Sequence, residues 1–274
     1  LRWTILGGHG MLGDDLSSVL QQRGHIVRSL SSSDCDVRSP AQLAVRLAGS
    51  DVIVNAAAWT AVDLAESRES EAFAVNSLGP YNVARAAMEA GARLVHISTD
   101  YVFSGDATVP YEIDSPLNPQ SAYGRTKAAG EWAVQSIDGS ALIVRTAWLY
   151  GAAGDNFIEK MLRSADSGQL RVVTDQVGQP TWTRDLADYI VGLIELKRSG
   201  GIYHGTNSGS VSRFDFVHRL MEMLHLTHVN IDPCRSADFV LPAERPGYSV
   251  LQHRNGIETM PPWEDALGRY LDER

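Results

Sequence analysis

The chain has little lysine, little cysteine and no long apolar run. Of its 24 basic residues only Lys127, Lys160 and Lys197 are lysines, so a lysine at a chemically meaningful spacing does not come from an abundant background. Cys35 and Cys234 are the only cysteines. They form neither a metal-ligand pattern nor an evident disulfide framework, in agreement with a reducing compartment. No stretch approaches the roughly eighteen consecutive apolar residues of a membrane span. The opening segment LRWTILGGHG reads directly as a strand and leaves no room for a signal peptide. A cytoplasmic protein without a membrane partner is expected. Positive charge is also in deficit, with 33 acidic against 24 basic residues and a formal net charge of -9. Without a basic stripe, such a surface repels nucleic-acid phosphates, which argues against that partner. An anionic small molecule stays open, because it needs only a local nest of backbone N–H groups and an arginine or two.

Against these absences stand 274 residues, 44% hydrophobic and 21% charged, the balance of a folded globular chain with a sizeable core. The first half alternates short apolar runs with helical patterns: WTILGG, a helix from about Met11 to Arg23, HIVRSL, DVIVNAAA, and a long helix ending near Gly91. RLVHIST, a helix carrying Tyr123 and Lys127, and ALIVRTAWLYG follow. That alternation predicts an α/β fold: a doubly wound, Rossmann-like parallel sheet whose ligands lie beyond the carboxyl ends of its strands. Residues 1–150 are expected to form the dinucleotide-binding domain. Residues 151–274 are expected to be mainly a smaller substrate-binding lobe, partly interleaved with the sheet. Its helix signals lie near 156–167, 183–197 and 212–224, with Thr183 and Ser212 as expected N-caps.

The stretch LGGHGMLG spaces Gly7, Gly10 and Gly13 as G-x-x-G-x-x-G between the first strand and the first helix. Glycines there allow a tight turn and close backbone approach to a pyrophosphate. The helix start, with Met11 and Leu12, supplies N–H donors and partial positive charge. A packing turn alone is the plainer alternative. At the end of the second strand, where an acid would accept from the ribose 2'-hydroxyl of NAD, VRSLSSSD offers hydroxyls with Arg28 close by. This favours NADPH and leaves NADH open. Asp36 and Val37 lie where an adenine contact is expected.

The strand LVHIST ends in Ser98 and Thr99, which places a hydroxyl at the carboxyl edge of the sheet. In SAYGRTKAAGEW, Tyr123 and Lys127 stand four residues apart on one helix face. Together these match the Ser/Thr, Tyr, Lys set of short-chain dehydrogenases/reductases. Reduction of a ketone by hydride leaves an alkoxide that needs a proton, and a phenol of pKa about 10 is poorly matched to neutral pH. A nearby ammonium and the oxidised nicotinamide are expected to pull that value down. Tyr123 is thus the expected general acid, Lys127 its electrostatic partner and Thr99 the holder of the carbonyl oxygen.

The segments VNAAAWTAVDLAE, STDYVF, YGRTKAAGE, RTAWLYG, DQVGQPT and ERPGYSVL strongly resemble the dTDP-4-dehydrorhamnose reductases, over a span from Ile5 to about Leu267. The resemblance implies that Thr99, Tyr123 and Lys127 are catalytic and that Asp100, Tyr101 and Trp148 face the deoxysugar. It further implies that Ala56, Ala57 and Ala58 line the cofactor groove, that Thr60 and Val62 approach the substrate, and that Asn156 and Arg245 meet the diphosphate. Trp59 and Leu64 depart from the family pattern, where Tyr or His and Lys are frequent. Some relatives hold a metal at a dimer contact through an acid near Asp14 and Asp15. A single acid does not predict one here, and a monomer or homodimer is expected.

Related nucleotide-sugar dehydratases need an Asp-Glu pair after the Ser-Thr, whereas here Asp100 is followed by Tyr101, which removes the elimination base. A 4-epimerase would retain NAD and need no external reductant. An NADP-binding regulatory subunit would be easier to credit had the Tyr/Lys pair been lost. A 4-ketoreductase for another dTDP-deoxysugar is the nearest rival. His218, His225 and His228 lack an H-E-x-x-H spacing and read as an exposed helical surface, and His9 as a loop side chain.

Overall fold

The computed structural model describes residues 1–253 and 259–274. The apolar run of β1 (Arg2–Leu6) leads into α1 (Met11–Gln22), β2 (Ile26–Leu30), α2 (Pro40–Arg46) and β3 (Val52–Asn55). Then come α3 (Val62–Ser67), α4 (Glu69–Phe73), α5 (Gly79–Ala90), β4 (Arg93–Thr99), α6 (Ala122–Ile137) and β5 (Leu142–Thr146). The rest carries β6 (Leu149–Tyr150), α7 (Phe157–Ala165), β7 (Gln169–Val173), β8 (Val177–Gly178), β9 (Thr181–Trp182), α8 (Thr183–Glu195) and β10 (Gly201–His204). It ends with β11 (Asn207–Ser208), β12 (Val211–Ser212), α9 (Arg213–Met223), β13 (Asn230–Cys234), β14 (Met260–Pro262) and α10 (Trp263–Glu273).

Six strands pair in parallel in the order β2-β1-β3-β4-β5-β10. β3 and β5 are buried at every position, as strands covered on both faces must be, so their sequences are apolar runs rather than alternations. Leu12, Leu16 and Leu20 of α1 and Ile190 and Val191 of α8 cover one face; Leu43, Val83, Ala87 and Val134 cover the other. The strand order reverses between β1 and β3, which opens a crevice at their carboxyl ends. A third core, built on Tyr150, Trp182, Phe216 and Tyr270, supports the later segments.

The expected doubly wound sheet is present, and β10 completes it from the second half of the chain. Ser212 caps α9 as expected, accepting from the Asp215 N–H at 3.0 Å. Thr183 does not cap α8. Trp182 holds the cap position, and the fully buried Thr183 hydroxyl turns back to the Tyr150 carbonyl at 3.0 Å and to Asp15.

Candidate active site

The glycine loop is built by close backbone packing. Gly7 has φ +76°, and a Cβ there would lie 2.7 Å from the Ala57 nitrogen and 2.8 Å from the Ala56 carbonyl carbon. At Gly13 a Cβ would fall 2.4 Å from the Gly7 carbonyl oxygen, whereas Gly10 leaves 3.3 Å to that same atom. The Asp14 N–H makes the first helical bond, to Gly10 at 2.9 Å. The N–H groups of Met11, Leu12 and Gly13 therefore precede the ladder and suit an anion. Ala56, Ala57 and Ala58 follow β3, with the first two against Gly7. After β2 the Asp34 carboxylate accepts from the Ser31 N–H at 2.9 Å and its hydroxyl at 2.6 Å, leaving Ser32 and Ser33 exposed. Arg28 donates to the Arg46 carbonyl at 2.5 Å. Asp36 binds Arg38, which holds its carboxyl below the usual range, and Val37 is buried against Gly79.

Thr99 ends β4 and accepts the Tyr101 N–H at 3.2 Å while donating to Asp100 at 2.9 Å. Ser121 caps α6, so Tyr123 lies in its first turn and Lys127 one turn further on the same face. The Tyr123 ring meets Tyr101 edge-on at 5.5 Å and packs with Trp59 around Ala65, Ala72 and Ala122. The buried Lys127 donates to the Ile97 carbonyl at 2.6 Å. Burial pushes the Tyr123 phenol above its ordinary value, against the opposing hydroxyl of Thr99 beside it. Desolvation dominates this direction, with the Lys127 ammonium directed to the Ile97 carbonyl; the expected downward pull involves the oxidised nicotinamide as well as the ammonium. Burial lowers Lys127 to about 8, with Glu131 opposing, and raises Asp100 to about 6.

Two devices that hold this helix were not read from the sequence. A π-helical turn, Ala74–Leu78, carries buried Asn76, whose side chain bonds the Trp59 N–H at 2.8 Å and the Thr126 hydroxyl at 3.1 Å. Gly130 admits this turn, since a Cβ there would lie 2.1 Å from the Asn76 carbonyl oxygen. Behind Lys127, Glu131 and Arg145 form a buried ion pair at 2.7 Å, and the Ser98 hydroxyl donates to the same carboxylate at 2.5 Å.

The expected substrate residues divide. Thr60 is exposed before α3, and Val62 opens that helix. Trp148 has φ +47°, unusual for a bulky residue, and Gly178 makes room for its indole: a Cβ there would lie 2.5 Å from it. Over this ring stacks Arg213, which sequence reasoning missed, its guanidinium carbon 3.5 Å from the ring centroid. Asn156 is occupied as the N-cap of α7, accepting from Glu159 at 3.2 Å and donating to the Gly151 carbonyl at 2.9 Å. Arg245 pairs with Asp63 at 2.7 Å. Trp59 donates to the Ala61 carbonyl at 3.2 Å, and Leu64 is exposed on α3. Asp15 faces a separate cavity of about 540 Å³ with Glu159, Glu273 and Arg274. Among the described residues no group of three or more His, Cys, Asp or Glu is placed to hold a metal, and no helix is long and apolar enough to cross a membrane.

The family model described as RmlD substrate binding domain matches residues 2–274. A dTDP-4-dehydrorhamnose reductase of Streptomyces griseus is 43% identical, over 97% of this chain and 91% of its own length. The chain belongs to the dTDP-4-dehydrorhamnose reductase family. A probable dTDP-4,6-dihydroxy-2-methyloxan-3-one 4-ketoreductase of Streptomyces antibioticus is 42% identical over 97% of this chain and 93% of its own. Among solved structures, a dTDP-4-dehydrorhamnose reductase of Bacillus anthracis in complex with NADP superposes with a TM-score of 0.95. It is 36% identical, and the match covers 100% of this chain and 99% of that one.

Proposed function

We propose that the protein is an NADPH-dependent reductase that converts the C4 ketone of dTDP-4-dehydro-L-rhamnose to the alcohol of dTDP-L-rhamnose. The observation that carries this reading is the convergence of Thr99, Tyr123 and Lys127 at the carboxyl edge of β4, within a family whose relatives carry that activity in their names. The cofactor fits the chain. Gly7 and Gly13 leave room no side chain could share, three helix N–H groups face the pyrophosphate position, and serines stand where an NAD-selecting acid would be. Bound there, NADPH supplies the hydride. Tyr123 delivers the proton to the nascent C4 oxygen, Thr99 holds that oxygen, and Lys127 stabilises the phenolate left behind. Asp100, Tyr101 and Trp148 orient the deoxysugar. Tyr123 packs beside Trp59 and edge-on to Tyr101, which fixes the position of its ring.

The test is NADPH consumption with dTDP-4-dehydro-L-rhamnose, wild type beside Tyr123→Phe, with the product identified by mass and NMR. Turnover should fall about 10²-fold or more in the variant while NADPH binding is kept. A folded, NADPH-binding wild type that does not turn over this sugar would refute the assignment. The 42% identity to the Streptomyces antibioticus ketoreductase supports one second reading, reduction of another dTDP-4-keto deoxysugar. A panel of such sugars, ranked by kcat/KM, separates the two.

A further inference from the structure

Arg213 is held in an unusual way for a cation. Its guanidinium is sandwiched between the rings of Trp148, at 3.5 Å, and Phe157, at 4.5 Å. Among the described residues it has no carboxylate within ion-pair distance and makes no side-chain hydrogen bond. Aromatic contacts engage the flat of the planar group rather than its N–H donors, so those donors remain free to bind an anion. The side chain is half-buried, so its N–H donors stay open to a bound anion while the rings hold the planar group in place. Burial lowers its pKa to about 10, and the charged groups that act on it are Tyr101, Asp100 and Arg245, all on the substrate side of the site. Asp100, pushed up to about 6 by burial, is still mainly a carboxylate at neutral pH, but it stands beyond ion-pair distance of Arg213 and is engaged by the Thr99 hydroxyl at 2.9 Å. Arg245 adds a second positive charge, although Asp63 partly neutralises it.

The same short strand pair builds both halves of the shelf. β8 and β12 run antiparallel, with Val211 opposite Gly178 and Ser212 opposite Val177. Gly178 admits the indole of Trp148, while the Arg213 N–H donates to the Gln176 carbonyl at 3.0 Å. The left-handed backbone of Trp148 is the sort of local strain that persists where a site requires it.

We infer that Arg213 is the diphosphate clamp of the nucleotide-sugar site, its edge donors gripping the phosphate oxygens while Trp148 and Phe157 fix its plane. This rests on the nucleotide-sugar reading proposed above and names the residue that meets the anionic part of that substrate. The sugar hydroxyls are neutral and are served by Thr99, Asp100 and Tyr101. The cofactor's pyrophosphate has its own N–H nest at the start of α1. The substrate diphosphate is the remaining anion that matches an unpaired guanidinium.

Calorimetric titration of the full chain with dTDP, thymidine and NADPH, for wild type, Arg213→Gln and Arg213→Lys, tests this. The Gln variant should bind dTDP about 10- to 100-fold more weakly, as expected for charge-assisted bonds, with thymidine and NADPH affinities unchanged. The Lys variant should recover part of the loss, since it restores charge without the fork. In turnover, KM should rise in the Gln variant with kcat within a few-fold of wild type. Unchanged dTDP affinity would overturn the clamp, and equal losses for dTDP and thymidine would overturn it too by assigning Arg213 to packing. A wild type that binds dTDP through Arg213 but does not reduce dTDP-4-dehydro-L-rhamnose would refute the proposed activity and leave the clamp standing.

Discussion

The Lys127 ammonium donates to the Ile97 carbonyl at 2.6 Å, tying the first turns of α6 to β4 two residues before Thr99. One bond thereby sets the helix that carries Tyr123 against the strand end that carries Thr99. It also buries a cation in the sheet edge, where desolvation lowers its pKa from 10.5 to about 8.

Lys127→Met should therefore trade activity for stability. Between about pH 8 and 10.5 the unfolded lysine keeps its proton while the folded one has lost it, so wild-type stability rises with pH across that window. Below it, the folded charge is carried at a cost. At pH 7 the Met variant should be more stable by roughly 2 kcal/mol, allowing for the lost hydrogen bond. That advantage should shrink as pH rises toward 10.5. Urea unfolding at pH 7 and 9.5 checks this, and a variant less stable than wild type at pH 7 would contradict it.

Gly13→Ala and Gly10→Ala should behave differently although both lie in one loop. The first forces a methyl to within 2.4 Å of the Gly7 carbonyl oxygen, a backbone atom that cannot step aside; the second meets that atom at 3.3 Å. Gly13→Ala should lose NADPH binding by about 10²-fold or more, and Gly10→Ala by less than about 10-fold. Fluorescence titration with NADPH distinguishes them. Equal losses would show that the loop is not held by this contact.

What the sequence made legible was whatever residue type and spacing write locally. The glycine loop is such a case, because only glycine tolerates the backbone at Gly7 and the approach at Gly13. Tyr123 and Lys127 are another, because helical spacing alone puts them on one face. The ion pair of Glu131 and Arg145 was not legible: it joins a helix to a strand, and only burial distinguishes it from surface charge. Arg213 looks in sequence like an ordinary first-turn arginine until folding brings Trp148 and Phe157 to its two faces. Asn156 carried a missed local signal, since Asn with Glu three residues later is a capping pattern, and the structure uses it that way.

Arg145→Met should cost about 3–5 kcal/mol, because it leaves the buried Glu131 carboxylate without its partner and frees the Ile113 carbonyl that Arg145 also serves, at 2.9 Å. The double variant Glu131→Leu with Arg145→Met should be more stable than Arg145→Met alone. Denaturant unfolding of wild type, Glu131→Leu, Arg145→Met and the double variant measures the coupling, and a double variant that loses the sum of both single changes would contradict the account.

The most direct test of the proposed reaction is isotopic. NADPH deuterated at both C4 positions of the nicotinamide is supplied with dTDP-4-dehydro-L-rhamnose, and the product is examined by NMR. One deuterium on C4 of dTDP-L-rhamnose, with none incorporated there from heavy water in a parallel run, is the predicted result. Absence of deuterium at C4, or a label on another carbon, would contradict it.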